Sequence, residues 1–164
     1  MRHRPILFTA VVFAAVKLTA FPVQAEGFKL EYQPRVELFV SSLFATSATE
    51  GSFGLRGSLR VRNRFHVEAS VSRLNGRVDL FLIDFSAKYY LRDRRTDLYL
   101  VAGPGLFYSS DLDADELMLH FGFGAEFTLG RRLYLRPEIR GRWLAEDLDA
   151  GTIGDLAVGL GWRF

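Results

Sequence analysis

The chain contains no cysteine, so no disulfide framework can hold its fold together. It also lacks any apolar run of roughly eighteen residues, the minimum for a helix that spans a membrane. Apolar residues nevertheless make up 49% of the 164 residues and charged residues 24%, a balance that excludes a disordered polymer. Because lipid cannot satisfy unpaired backbone groups, such a chain could cross a membrane only as a closed barrel.

The first 25 residues have the features of a secretory signal peptide. A basic start, "MRHR", precedes the apolar segment "PILFTAVVFAAV", and Val23 and Ala25 are permissive residues before Glu26. The pattern predicts cleavage after Ala25. It therefore predicts two parts, a signal peptide at 1–25 and one mature domain at 26–164.

The predicted mature chain has no excess of positive charge. The whole sequence has 21 basic and 19 acidic residues, but Arg2, Arg4 and Lys17 lie in the predicted signal peptide, which leaves 18 basic residues. A nucleic-acid partner would require a basic excess on one face. We therefore expect no nucleic acid among the partners.

Eight segments of the mature chain alternate between apolar and polar residues, the period of an extended strand. They lie at 35–44, 53–62, 65–74, 80–92, 98–108, 117–129, 133–144 and 153–164. The connections at 63–64, 93–96 and 130–132 are tight, whereas those at 45–52, 109–116 and 145–152 are longer, and 75–79 is the short member of this second set. Tight turns on one rim and longer loops on the other are typical of a bacterial outer-membrane barrel with a periplasmic tight rim. The fold class predicted is all-β, an eight-stranded antiparallel transmembrane up-and-down barrel.

One face of each segment is too bulky for the interior of an eight-stranded barrel, which is just wide enough for side chains. We expect this apolar face to contact lipid; it includes Phe53, Leu55, Leu59, Val61, Phe81, Ile83, Phe85, Tyr89, Leu119, Phe121, Phe123 and Phe127. The opposite face is expected to line the lumen; it includes Arg56, Arg60, Arg62, His66, Glu68, Asp84, Lys88, His120, Glu126, Arg136, Glu138, Arg140 and Arg142. Pro104 and Pro137 leave the strand register around them open, because proline removes a ladder hydrogen bond and favours a bulge.

The layout of the mature chain resembles the small eight-stranded outer-membrane barrels, the OmpA-type transmembrane domain and its OmpX-like relatives. The resemblance rests on the strand patterns "LYLVAGPGLFY" and "LYLRPEIRGRW" and on the ending "GLGWRF". It implies that the chain resides in the outer membrane. It also implies that Trp162 and Phe164 belong to a signal read by the barrel-assembly machinery.

Opposite charges in so narrow a lumen should pair, because an unpaired charge there is penalised by several kcal/mol. The predicted closing network consists of Arg56, Arg60, Glu68, Asp84, Lys88, Glu126, Arg136, Glu138, Arg140 and Arg142. In the loops, Asp111, Asp113 and Asp115 have a spacing that suits Ca²⁺ or Mg²⁺, but a solvated acidic loop is favoured over a metal site. No cofactor is predicted.

These observations predict a structural or interacting protein of the cell surface, concerned with membrane integrity, adhesion or immune evasion. Its expected partners are outer-membrane lipid and lipopolysaccharide, and the barrel is expected to be a monomer. A narrow pore for small solutes is the first alternative. A lipid A-modifying enzyme is the second, and it is disfavoured because His66 and His120 both point inward, whereas the related acyl-removing barrels place a His–Ser pair on the lipid side.

Overall fold

The computed structural model describes residues 33–45, 48–75, 79–91, 96–109, 114–144 and 152–164. The eight strands in them are β1 Arg35–Ala45, β2 Ala48–Arg62, β3 Phe65–Asn75, β4 Asp79–Tyr90, β5 Thr96–Ser109, β6 Ala114–Thr128, β7 Leu133–Leu144 and β8 Ile153–Arg163. In these ranges no helix is long and apolar enough to cross a membrane. The signal peptide predicted at 1–25 lies outside them, so cleavage after Ala25 stays a prediction.

The strands close into a barrel in which each is antiparallel to both of its neighbours. At the seam, β1 pairs with β8 from Arg35 opposite Arg163 to Phe44 opposite Gly154. The ladder continues past the strand ends, where the Phe164 amide donates to the Pro34 carbonyl over 3.1 Å. Closure leaves the sheet without a free edge, which a sheet surrounded by lipid requires. The predicted eight-stranded antiparallel barrel is confirmed.

The connections divide between two rims. The turn rim holds the β2–β3, β4–β5 and β6–β7 turns together with the outer ends of β1 and β8, and the loop rim holds the other four connections. The long connection predicted at 45–52 is wrong, because Ala45 pairs with Ala48 and only residues 46–47 join β1 to β2. Hydrophobic alternation marks only the part of a strand that has an apolar face. It therefore missed the start of β2 at residues 48–52, where the side chains are small or polar.

Neither proline shifts the strand register. The β4–β5 ladder has the same register on both sides of Pro104, and the β6–β7 ladder does so around Pro137; the flanking pairs are Asp84 with Gly105, Ala87 with Ala102, Gly124 with Glu138, and Phe127 with Leu135. The alternation of faces therefore runs through both strands without interruption.

The irregularity lies instead near the β2–β3 turn. Arg60 lies opposite His66, but Arg62 lies opposite Phe65, so the register shifts between the two arginines. Arg62 therefore shares the outward face of Phe65 and is exposed. Its predicted place in the lumen is wrong, because an extra residue in one strand reverses the faces beyond it.

Large apolar side chains cover the outer face of the barrel. Exposed examples are Leu38, Val40, Phe53, Phe85, Leu119, Phe121, Phe123, Leu156, Leu160 and Trp162. A continuous apolar band of this kind is the surface that acyl chains solvate. The inner face carries the charged residues, so the arrangement of a soluble barrel is inverted.

We expect Phe123→Arg to destabilise the inserted barrel by about 2–4 kcal/mol, because a charge near the middle of the membrane is poorly solvated. Leu129→Arg is the matched control, since Leu129 is as exposed as Phe123, at 57% against 60%, but follows β6 at the turn rim. Near the interface its cost should fall to about 0–1 kcal/mol. Unfolding by urea in lipid vesicles measures both values, and equal losses would contradict the assigned lipid belt.

Candidate functional site

The inward residues of the strands form one large ionic group in the middle of the lumen, which we name the central cluster. It contains five cations and five carboxylates: Arg56, Lys88, Arg136, Arg140, Arg142, Glu37, Glu68, Asp84, Glu138 and Asp155. All ten are buried. Because its formal charges cancel, the cluster can sit inside a narrow barrel without a counterion.

Arg136 on β7 is the centre of this cluster and is 1% exposed. Its Nη1 and Nη2 donate to the two Glu68 oxygens over 2.6 and 3.0 Å. Nη1 also reaches Glu37 at 3.2 Å, and Nη2 reaches Glu138 at 2.6 Å. The Nε atom donates to the Tyr99 hydroxyl over 2.7 Å. A planar guanidinium with five donors suits this position, where a lysine could not bind in the same bidentate way.

Two further arginines extend the cluster toward the loop rim. Arg140 donates to Glu138 over 2.6 Å and to Asp84 over 3.2 Å. Arg142 then joins Asp84 at 2.8 Å to Asp155 at 2.7 Å. Carboxylates of β4, β7 and β8 are thus held by the two arginines of β7. The barrel wall is cross-braced through its interior as well as around its circumference.

A second ionic group lies near the turn rim, which we name the turn-rim cluster. Glu126 accepts hydrogen bonds from Arg35 at 2.8 and 2.9 Å and from the Tyr90 hydroxyl at 2.8 Å. It also pairs with Arg163 near the end of β8. Because Arg35 begins β1 and Arg163 ends β8, this carboxylate ties both sides of the seam to β6.

The lumen changes character toward the loop rim. Along β4 the inward residues pass from Lys88 through Asp84 to Leu82, and the last of these belongs to an apolar cluster. The cluster is formed by Leu43, Leu74, Leu82 and Met118, against which Leu80, Phe107, Leu144 and Ile153 pack. Charged residues thus fill the middle of the lumen, and an apolar layer lies between them and the loops.

Glycines on the inner face make room for the large lumen side chains. A Cβ atom on Gly124 would collide with the Tyr99 ring, and one on Gly161 would collide with the Tyr134 ring. Each tyrosine therefore lies flat over a neighbouring strand that has no side chain at that point. Such close approach of a ring to the backbone is open only to glycine.

The structure places eight of the ten predicted network residues in the central cluster; they are Arg56, Glu68, Asp84, Lys88, Arg136, Glu138, Arg140 and Arg142. Glu126 belongs to the turn-rim cluster, and Arg60 is half-buried near it. Sequence reasoning missed Glu37 and Asp155. Glu37 lies between the outward Val36 and Leu38, and Asp155 directly precedes the outward Leu156. The same alternation could therefore have identified both.

A Ser–His–carboxylate order occurs within the lumen. The Ser86 hydroxyl lies 2.9 Å from His120 Nε2, and His120 Nδ1 lies 3.7 Å from Asp84. The second distance is too long for a hydrogen bond, and Asp84 is already bonded to Arg140 and Arg142. All three groups are buried beneath the apolar cluster. Among the described residues His120 Nδ1 has no hydrogen-bond partner, so this arrangement does not orient His120 as a base.

The predicted acidic loop falls mostly outside the described residues. Asp111 and Asp113 lie outside them, and of Asp115 only the backbone is described, in β6 opposite Tyr108. Within the described ranges, no three His, Cys, Asp or Glu side chains are grouped so that they could hold a metal ion.

The predicted assembly residues lie at the turn-rim end of the seam. Trp162 faces outward opposite Val36 of β1 and Leu133 of β7. Phe164 follows β8 directly and its side chain is among the most exposed of the apolar residues, at 69%. Both aromatic groups therefore point away from the lumen, into the region where a membrane meets water.

The profile of a family described as "Outer membrane protein beta-barrel domain" matches residues 8–164. Among solved structures, the N-terminal β-barrel domain of Pseudomonas aeruginosa OprF superposes with a TM-score of 0.69 at 15% identity, over 80% of this chain and 97% of that one. Neisserial surface protein A gives 0.63 at 14% identity, over 80% and 96%. Ail of Yersinia pestis, in complex with the heparin analogue sucrose octasulfate, gives 0.57 at 16% identity, over 80% and 98%. No curated protein matches the chain in sequence.

We expect Arg136→Gln to lower the free energy of unfolding by about 3–5 kcal/mol, because it leaves three buried carboxylates without their shared cation. Arg132→Gln, at an exposed turn position, should stay within about 0.5 kcal/mol of the parent. Adding Glu68→Gln to Arg136→Gln should recover part of the loss by restoring charge balance. Urea unfolding in lipid vesicles measures all three, and equal effects of the two single changes would contradict the central role of Arg136.

Proposed function

The chain belongs to the family of outer membrane protein β-barrel domains, and from this premise we propose that it is a closed, non-conducting barrel with a structural or cell-surface interaction role. It is a β-barrel membrane protein of the outer membrane. In this proposal the charged lumen closes the barrel, and any specific interaction takes place at the rims and the outer surface.

The balanced central cluster is the observation that carries the proposal. Arg136 alone binds three carboxylates, and Arg140 and Arg142 hold two more, Asp84 and Asp155, further toward the loop rim. A permeating ion would have to break several charge-assisted hydrogen bonds at once, each about twice as strong as a neutral one. The apolar cluster adds a second layer that offers no polar partner to water or ions.

An enzymatic role on lipid A receives no support from the placement of the histidines. His66 and His120 are both buried on the inner face. Acyl chains lie against the outer face, so a base and nucleophile acting on them would have to point outward. The pair Ser86 and His120 stabilises the interior as one more polar contact, and we propose no catalytic role for it.

The charge of the loops bears on which surface partner would fit. The sequence of the loop-rim connections at 46–47, 76–78, 110–113 and 145–152 contains the acids Asp111, Asp113, Glu146, Asp147 and Asp149 and one basic residue, Arg77. The Ail structure contains a polysulfated ligand. An acidic surface repels such a ligand, so we do not extend polyanion binding to the loops of this chain. Lipopolysaccharide phosphates would bind these acidic loops most favourably through bridging divalent cations, because such cations bind carboxylate and phosphate oxygens together.

We expect the purified barrel to show no unitary conductance in planar bilayers. Leu82→Ser combined with Met118→Ser, which removes only the apolar layer, should stay silent because the central cluster remains. Arg136→Ala combined with Glu68→Ala removes the central ion pair of the cluster and should give small steps. Stable steps from the parent protein would overturn closure in favour of a narrow pore. Altered lipid A masses after expression would instead overturn the structural or interaction role in favour of a lipid A-modifying enzyme.

We further propose that Trp162 and Phe164 form the signal read by the barrel-assembly machinery. The contact that secures Phe164 is a hydrogen bond from its backbone amide to the Pro34 carbonyl, which any residue except proline can make at this position. Its exposed side chain makes little contribution to closure. An apolar aromatic group at this place is therefore available to a partner before the barrel meets lipid.

We expect Phe164→Asp to fold in detergent with nearly parental stability but to accumulate in the periplasm of cells. Phe164→Leu keeps an apolar group and separates lost aromaticity from the introduced charge. Heat-modifiable gel migration reports folding, and fractionation reports location. Parental outer-membrane levels of Phe164→Asp would contradict a recognition role, whereas failure in detergent as well would assign the effect to closure of the seam.

A further inference from the structure

A small recess opens at the turn-rim end of the lumen. It is lined by Arg35, Arg60, Asn63, Arg64, His66, Tyr90 and Asp97 and has a volume of about 50 Å³. A single water needs roughly 10–15 Å³ by the same measure, so the recess has room for a group several times that size. It lies beyond the turn-rim cluster, between the β2–β3 turn and the barrel interior.

Two buried polar atoms at this recess have no partner within the part of the chain that the structure describes. One is Nδ1 of His66, a side chain that is 2% exposed; the other is Nε of Arg35. Arg35 uses its Nη1 for Glu126 and Tyr90, so its Nε is left over for another acceptor. Buried polar atoms without partners are rare and destabilising, which indicates that a further group satisfies them.

The charge around the recess favours an anion. Three guanidinium groups, those of Arg35, Arg60 and Arg64, face a single lining carboxylate, Asp97. Glu126 pairs with Arg35, but it also pairs with Arg163, so it neutralises the charge of Arg35 only in part. Arg64 is exposed, and its contact with the described residues is a long one of 3.5 Å, from its Nη1 to the Leu91 carbonyl. It is therefore positioned to turn toward a bound anion.

We propose that this recess binds a phosphate group. Arg35 and Arg64 line the recess with N–H donors, and His66 adds a third in its Nδ1–H tautomer, a set that suits an acceptor with several oxygens. The Asn63 amide is a further neutral donor at the mouth. The phosphate could come from free inorganic phosphate at the mouth of the barrel or from the headgroup of an anionic phospholipid, and both share this chemistry.

The test uses the protein purified from outer membranes, with its histidines labelled with ¹⁵N and its ring resonances followed by NMR. Inorganic phosphate is titrated against chloride at constant ionic strength. We expect the His66 resonances to move and saturate while those of His120, buried farther along the lumen, stay still. Arg64→Gln should weaken the apparent affinity about tenfold, the effect of losing one charge-assisted hydrogen bond. Arg132→Gln, an exposed arginine outside the recess, should leave it close to unchanged.

A second arm identifies the source of the phosphate. The barrel is placed in phosphatidylcholine nanodiscs with or without phosphatidylglycerol, in a buffer free of phosphate. A His66 shift that requires phosphatidylglycerol assigns the site to a lipid headgroup, and a shift seen only with inorganic phosphate assigns it to the free ion; either supports the site. No shift in either arm means that water fills the recess. Equal weakening of binding by Arg64→Gln and Arg132→Gln means that phosphate is attracted diffusely to the basic surface. Each of these two results overturns the proposal.

Discussion

Charge balance in a lumen only wide enough for side chains is the constraint on which the rest of the barrel depends. Closing eight strands fixes the width of the interior, and that width admits side chains but little solvent. Each ion of the central cluster must therefore be neutralised by its neighbours rather than by water. Arg136 alone donates hydrogen bonds to three of these carboxylates, those of Glu37, Glu68 and Glu138.

The same constraint explains why glycines face the lumen beside its largest side chains. Large lumen side chains such as Tyr99 and Tyr134 need space over the neighbouring strand, and β6 and β8 supply it with Gly124 and Gly161. The bulk that the lumen cannot hold faces lipid instead. Inverted polarity, interior glycines and outward aromatic residues are thus consequences of one fixed diameter rather than separate features.

The alternation of residue types was sufficient to predict the eight strands, the closed antiparallel barrel and the two faces. It could not predict which ions pair, because partners such as Arg136 and Glu68 lie 68 residues apart and meet only once strand tilt and register are fixed. It also misplaced Arg62, since one extra residue near a turn leaves no mark in the pattern. The apolar layer around Leu82 and Met118 was missed for a related reason: apolar residues on the lumen face look the same as a break in the alternation.

The two ends of the barrel differ in charge, and this difference separates the chemistry that each can recognise. The turn-rim segments 63–64, 91–95 and 129–132 contain Arg64, Arg92, Arg94, Arg95, Arg131 and Arg132 against a single acid, Asp93, the reverse of the loop-rim connections. Since the central cluster between them carries no net charge, neither end is neutralised by the lumen. Anionic groups are therefore attracted to the turn rim, where nitrogen atoms of Arg35 and His66 at the recess have no partner among the described residues. The loop rim attracts cations or groups bridged by them. The sign of a ligand's charge therefore determines which end of the barrel attracts it, the turn rim for an anion and the loop rim for a cation.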